Sequence, residues 1–581
     1  ISIGNANNDY TGQSIVKSGA VLNVTSHNAL GLSQLVVEGG EANLGGYTQS
    51  LGSLQVAGGA SLSGRGALTL GLDGQEKTST ISQDANSSLE GSLILNGGHT
   101  LTLQEITGLG TAAVTVENEA KLVLSETGAF VNQLTGQGTV QVSSGSTVEL
   151  TSTANSGFSG LFDIVSNAVM TVSGSVADKL GSALLNVDGN LNITQQGGFT
   201  LSNALSGTGT VTASAGTTKG EFAFSSSEDD AQFTGTLVLD NMTLALGGAD
   251  GSNNASHLVK STVSLTNTSS MTVSGNQTLA ALTTSDGTGV VFDGILGFGD
   301  DSTLSKLTVG KFDPTGDSTG TTDIQVTVSD SENLMSGNVN QSALLDTQSA
   351  SSVLIDTTNN NFTTDDLDHL TLNGSSQGIE ASAAIAIVDG GTTVAHGTYG
   401  YGLAVVDGDL GVSFDLQTID ILGGQTLTLT GTSGQTKELG AKITDTDGAG
   451  SLTIGSGIVE LTGTNNDYSG ATTVASKAQL IAGSGSLGDT SLLNVAGTLT
   501  NSGANSVGAL QMQEGSTVAL GETLTIEGSQ DSTIAGTLTG EGQLAVAAGL
   551  LNITSVSDDF KGSLSIGNGA QVSVSDNSGN A

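Results

Sequence analysis

Gly136-Gln137-Gly138-Thr139-Val140 is followed, one strand and one turn later, by Phe158-Ser159-Gly160. The same two-part module returns as Gly207-Thr208-Gly209-Thr210-Val211 with Phe233-Thr234-Gly235. It recurs as Gly448-Ala449-Gly450-Ser451-Leu452 with Tyr468-Ser469-Gly470, and as Gly540-Glu541-Gly542-Gln543-Leu544 with Phe560-Lys561-Gly562. A degenerate copy runs from Gly64-Arg65-Gly66 to Leu89-Glu90-Gly91, with Leu in the aromatic slot. Asn7-Asn8-Asp9-Tyr10-Thr11-Gly12 reads as the second half of a truncated copy, and Asn465-Asn466-Asp467-Tyr468-Ser469-Gly470 repeats it almost letter for letter. Self-similarity at steady spacing marks a solenoid, whose units bury their apolar faces only by stacking on one another.

Between modules lie short alternating runs such as Leu93-Ile94-Leu95, Val114-Thr115-Val116, Leu427-Thr428-Leu429 and Val572-Ser573-Val574, separated by Gly, Asn or Asp. They predict strands of about four to six residues between turns. No helical periodicity is sustained, so no helices are expected as crossovers. Coiling the strands into a right-handed parallel β-helix is the simplest way to bury one face. The expected fold is therefore an all-β β-solenoid with Leu, Val and Ile pointing inward and Thr, Ser and Gln outward. At roughly 22 residues per turn and about 4.8 Å between turns, it would form an elongated rod on the order of 120 Å long. Tyr10, Phe158, Phe233, Tyr468 and Phe560 are assigned as structural corner aromatics, each with a Gly two residues on that permits a tight bend.

The module divides the chain into residues 1–285 and 425–581, which carry β-helix repeats, and a divergent stretch, 286–424. The divergent stretch holds the single proline, Pro314, and many Asp and Asn residues. One continuous solenoid is expected, with longer loops or a projecting hairpin in the middle, where a rigid scaffold commonly places binding.

Composition narrows the function classes. The 581 residues include 86 Gly, no Cys, no Trp and 3% aromatics, too little aromatic surface for a large globular enzyme core. Hydrophobic residues at 36% are enough to rule out a disordered chain. Thirteen Lys and Arg face 55 Asp and Glu, a net charge of −42. Nucleic acid is excluded as a partner by the lack of a cationic footprint, and an anionic membrane surface is disfavoured for the same reason. Self-association would have to rely on hydrogen bonds or neutral patches. The absence of Cys suits transit through an oxidising compartment. The chain opens on Ile1-Ser2-Ile3-Gly4 without a signal peptide, has no apolar run near the roughly 18 residues of a membrane span, and reads as a processed or excised fragment.

No catalytic, cofactor-binding or metal-ligating residues are assigned. Gly316-Asp317-Ser318-Thr319-Gly320 has the outline of a serine-protease nucleophile loop, but His27, His99, His257, His369 and His396 are scattered without a supporting signature. Asp445-Thr446-Asp447-Gly448 has the start of a calcium loop without its closing Glu, so no cofactor is expected, and calcium bridging of acidic loops is the metal role weighed. Candidate interaction residues are Asp229, Asp230, Asp300, Asp301, Asn359, Asn360, Asn361, Asp365, Asp366, Asp368, Asp558 and Asp559. Asp229-Asp230 and Asp558-Asp559 precede a corner aromatic at one repeat position, which suggests an acidic ridge.

The Gly-x-Gly strand followed by Asn466-Asp467-Tyr468-Ser469-Gly470-Ala471-Thr472-Thr473-Val474 resembles the autotransporter-associated β-strand repeat of Gram-negative passenger domains, particularly AIDA-type adhesins. The resemblance covers Ile1 to about Thr284 and Leu422 to Ala581. Gly397-Thr398-Tyr399-Gly400-Tyr401-Gly402-Leu403, with Gly408-Asp409-Leu410, is similar to a motif such passengers carry. It implies secretion through a C-terminal β-barrel that, like the signal peptide, lies outside this chain and supplies the membrane attachment. It also implies display on the outer membrane or release, and a role in adhesion, autoaggregation, biofilm formation and virulence. The expected partner is a copy of the protein on a neighbouring cell or, alternatively, a host extracellular matrix protein or glycan met by loops of the divergent stretch.

Overall fold

The computed structural model describes residues 1–72, 78–82, 88–225, 232–296, 303–314, 320–327, 334–359, 361–376 and 381–575. The chain is all-β, its strands stacked in parallel as a β-solenoid of about 25 turns. It divides into two compact units, residues 1–292 with 305–325 and 355–374, and residues 293–304 with 326–354 and 375–581.

In the first unit a ten-stranded sheet shows how alternation becomes a core. Four of its strands are β1 (Lys121–Leu124), β2 (Thr139–Val142), β3 (Leu161–Ile164) and β4 (Leu184–Val187). They pair in parallel so that Leu122, Val140, Phe162 and Leu185 form one inward file and Leu124, Val142, Ile164 and Val187 another. All eight side chains are fully buried. Filling each file with apolar side chains contributes about 1.5–3 kcal/mol per residue before the entropy of ordering. The outward file is polar and internally bonded: Gln141 Nε2 donates to Asp163 Oδ2 (2.6 Å), and Asn186 Nδ2 donates to Asp163 Oδ1 (2.9 Å).

The repeated glycines have a different cause from a tight bend. The second Gly of each Gly-x-Gly lies directly beneath the Gly of the next aromatic-x-Gly. A Cβ on Gly160 would sit 1.9 Å from the Gly138 carbonyl oxygen, and one on Gly470 would sit 2.2 Å from that of Gly450. The same carbonyl of Gly138 accepts from Leu161 N–H at 2.9 Å, so the approach is the ladder bond itself and cannot relax. The first Gly does need its freedom: Gly136 has φ +99° and pairs across the turns with Phe158.

The corner aromatics follow the stacking. Phe158, Phe233 and Tyr468 are essentially fully buried. Tyr10 is 36% exposed and Phe560 is half-buried, a departure from the corner assignment. Both lie near an outer end of a stack, so one side of each ring faces solvent.

Helices are present, contrary to the sequence expectation. In the first unit these are α1 (Val176–Leu180), α2 (Gly248–Leu258) and α3 (Thr364–Leu367). The 11-residue α2 buries Asn254, His257 and Leu258. Asn254 Oδ1 accepts from Phe224 N–H (2.7 Å), its Nδ2 donates to Ala245 O (2.7 Å), and the His257 ring stacks on Phe224 at 4.7 Å. Because two of those buried residues are polar, the helix leaves no hydrophobic period to read.

In the second unit, strands β5 (Ala381–Asp389), β6 (Thr392–Val406) and β7 (Asp409–Ile421) form an antiparallel meander. At 15 and 13 residues, β6 and β7 far exceed the short strands expected. Within the meander, Tyr399 is fully buried and its hydroxyl donates to Thr347 O (3.0 Å); burial pushes the phenol above its ordinary pKa despite that bond. From Thr426 onward, parallel stacking forms a 13-stranded sheet.

Gly160→Ala is expected to cost about 3 kcal/mol or more, since backbone rather than side chain must move. Gly46→Ala, where an added Cβ meets nothing within 4 Å, is expected to be neutral or slightly stabilising. Urea unfolding checks both, and hydrogen exchange at amides 138–162 locates the effect of the first.

Candidate functional site

The acidic residues singled out in the sequence do not converge. Asp229, Asp230, Asp300, Asp301 and Asn360 lie outside the described residues. Asn359 and Asn361 are exposed, and Asn361 N–H donates to Thr357 Oγ1 at 3.3 Å. Asp365 and Asp368 face solvent at α3, whereas Asp366 closes its capping box by accepting from Thr363 N–H (2.8 Å) and Oγ1 (2.7 Å). Asp558 and Asp559 are exposed turn residues, so only one half of the ridge can be placed. Among the described residues, no group of three or more His, Asp or Glu side chains is arranged to hold a metal ion. Asp445 is occupied otherwise: its Oδ2 accepts from Ser469 N–H (2.6 Å), Ser469 Oγ (2.8 Å) and Gly450 N–H (2.9 Å).

Ser79 Oγ lies 2.8 Å from His99 Nε2, but both residues are 1% exposed, and Ser79 Oγ also accepts from Leu54 N–H at 2.8 Å. The pair is interior structure, out of reach of a substrate. Gly316 to Thr319 lie outside the described residues. No helix among the described residues is long and apolar enough to cross a membrane, which says nothing of strands.

What the fold does bring together is a polar groove in the second unit. Its walls step from turn to turn through Thr464, Ser484, Ala504 and Thr523, the first three exposed. Asn466 and Asn505, each 7% exposed, form part of its lining and hold the turns in register. Asn466 Oδ1 accepts from Ile443 N–H (2.8 Å) while its Nδ2 donates to Ser486 O (2.7 Å). Asn505 Oδ1 likewise accepts from Leu487 N–H (3.2 Å), and its Nδ2 donates to Gly483 O (2.8 Å). In the first unit Asn155 does the same between Leu134 N–H and Lys179 O, both at 2.9 Å. Sequence reasoning missed this amide ladder; its signal was the Asn two or three residues before the corner aromatic, as in Asn466–Tyr468 and Asn155–Phe158.

The groove encloses about 480 Å³ and is lined by hydroxyl, amide and glycine groups together with the methyl of Ala504. Ser506, on β8 (Asn505–Val507), pairs in register with Thr525 on β9 (Leu524–Ile526) and joins the groove to a smaller recess of about 260 Å³. The recess adds two exposed carboxylates, Asp489 and Glu527. A separate groove of about 530 Å³ runs past Ser433, Ser476, Gln479 and Thr498 and holds one cation, Lys477. The main groove is uncharged and offers both donors and acceptors, so it suits a hydroxyl- or amide-rich partner rather than an ionic one.

No family model matches the chain, and no solved structure matches it. It is 35% identical over 210 residues to "Uncharacterized lipoprotein YdeK" of Escherichia coli (strain K12), covering 35% of this chain and 16% of that protein. It is 28% identical over 469 residues to "Uncharacterized protein YuaQ" of the same organism, covering 78% of this chain and 33% of that protein. The chain therefore spans a third or less of the length of these relatives.

Asn466→Leu is expected to cost about 3 kcal/mol, because it strands the Ile443 N–H and the Ser486 carbonyl. Faster hydrogen exchange around residues 443 and 486 would report the loss. Asp420 gives a pH signature. Burial works to raise its pKa, but bonds from Thr446 Oγ1, Thr446 N–H and Thr444 Oγ1, with the charge of facing His396, outweigh it and hold the carboxyl below its usual value. A depressed carboxyl stabilises the fold above its unfolded pKa of about 3.9, and that contribution is lost as pH falls through the folded value. Asp420→Asn should therefore lose less stability than the parent between pH 6 and pH 3, measured by thermal melts.

Proposed function

We propose that this chain is the passenger of an AIDA-type autotransporter, a cell-surface adhesin of a Gram-negative bacterium that drives cell–cell aggregation and biofilm formation by self-association of its β-helix. It carries no enzymatic activity and needs no cofactor. The observation that carries this reading is the uncharged groove that runs over successive turns, with hydroxyl and amide groups at Thr464, Asn466, Ser484, Asn505, Ser506 and Thr523. Groups that both donate and accept are complementary to the same groups on a second copy. Each such contact contributes only about 1 kcal/mol, and repetition along the stack turns weak contacts into firm attachment. One relative being named a lipoprotein supports an envelope location.

The net charge of −42 opposes this pairing at long range. Salt screens that repulsion over about 8 Å at physiological ionic strength while leaving neutral hydrogen bonds intact. Aggregation should therefore strengthen as salt rises toward the physiological range, the reverse of an interface built on ion pairs.

The second reading is heterophilic adhesion to a host matrix protein or glycan. It is favoured by the meander of β5 to β7, which departs from the coil, and by the exposed Asn359, Asn361, Asp365 and Asp368.

Cells displaying the full-length protein, mixed with differently labelled non-displaying cells, should form clumps of displaying cells alone. Ser484→Asp with Ala504→Asp, both at exposed positions, should abolish clumping at unchanged display. Clumping that survives this pair would remove the groove from the account; absence of clumping in the parent would leave the heterophilic reading.

A further inference from the structure

The sequence contains three Asn-Gly pairs, Asn96-Gly97, Asn373-Gly374 and Asn568-Gly569. In such a pair the glycine backbone nitrogen can attack the asparagine side chain, because no Cβ shields it. The three sites differ in what surrounds that nitrogen. Asn373 and Gly374 form the exposed turn that follows the strand Leu370–Leu372, with φ +50° and +77°. The Gly374 N–H donates to Asp323 Oδ1 at 2.7 Å. Asp323 is held there from three directions: it is the register partner of Thr371 on the neighbouring turn, its Oδ1 accepts from Thr371 Oγ1 (2.9 Å), and its Oδ2 accepts from Gln325 Nε2 (2.8 Å). At Asn96 the side-chain amide donates to Gly71 O at 3.3 Å.

We propose that Asn373 is a self-modifying site at which Asp323 acts as the positioned base for deamidation. Asp323 Oδ1 takes the Gly374 amide proton as the nitrogen lone pair forms a bond to Asn373 Cγ. The tetrahedral adduct then breaks the Cγ–Nδ2 bond, and the side-chain nitrogen leaves as ammonia with that proton. The resulting five-membered succinimide takes up one water and opens to Asp or isoaspartate. The net change is asparagine plus water to an acid plus ammonia, with no oxidant or co-reactant. The substrate is the chain itself, and holding the base on the nitrogen supplies the proximity that a free peptide lacks.

The product undoes its own cause. Deamidation adds a second negative charge to the turn that is bonded to Asp323, and isoaspartate adds a methylene to the main chain. The Gly374–Asp323 bond is then lost, so the turn is released in one direction only.

The test is ageing of the full chain at 37 °C and mildly alkaline pH, with peptide mapping by mass spectrometry of all three Asn-Gly sites. Deamidation is expected to accumulate fastest at Asn373, and Asp323→Asn is expected to slow it at least about tenfold, part of what a positioned base contributes. Circular dichroism confirms that the variant remains folded. In denaturing urea the three sites should react at similar rates and the Asp323 dependence should vanish. Equal rates at the three sites in the folded chain would overturn the proposal. An unchanged or faster rate in Asp323→Asn would do so as well, showing that the carboxylate merely restrains the turn.

Discussion

The close passage of one turn's backbone over the next governs this molecule. At the glycine columns the carbonyl of Gly138 occupies the space where Gly160 would carry a Cβ, and Gly450 stands in the same relation to Gly470. These contacts fix the register, and register decides everything else. A slip of one residue would send each inward file to solvent and each polar file into the core. The amide ladder serves the same end by a different force: Asn155 and Asn466 accept from the turn before and donate to the turn after, so a misplaced turn strands buried polar groups on both sides.

Some of the acidic side chains are drawn into this scheme. Asp163, Asp420 and Asp445 each accept hydrogen bonds from polar groups on a neighbouring turn. Each carboxylate is therefore used as an acceptor that clips adjacent turns, and Asp420 faces His396 as well. Among the described residues the ion pairs are few, and those such as Arg65–Glu90 and Lys442–Asp467 are substantially exposed and contribute little. A high negative charge is thus compatible with a well-bonded surface, and the groove remains uncharged because its positions carry Thr, Ser, Ala and Asn instead.

The solenoid was legible because its causes are local and repeated. Alternation at Thr139–Val142 and the glycine pairs at 136–138 and 160 declare themselves in any one copy. The reason for the second glycine was not legible, since a close approach lies between turns and looks in sequence like a bend. Helix α2 was hidden for a related reason: its buried positions include Asn254 and His257, chosen for bonds to Phe224 and Ala245 and for a ring stack, not for hydrophobicity. The long strands β6 and β7 were missed because Gly397, Gly400, Gly402 and Gly411 punctuate them like turns. As for the site, conspicuous acids such as Asp366 proved to be local caps, while the groove arises from small residues one turn apart, a pattern visible only once the register is known.

The register has a kinetic meaning. Thr139 pairs with Lys121, Leu161 with Thr139 and Leu184 with Leu161, so each strand finds its partner one turn earlier in the chain. Such short sequence separations keep the entropy of loop closure small for every added turn. A chain delivered gradually from one end could therefore fold as it arrives, each finished turn offering the next a ready template.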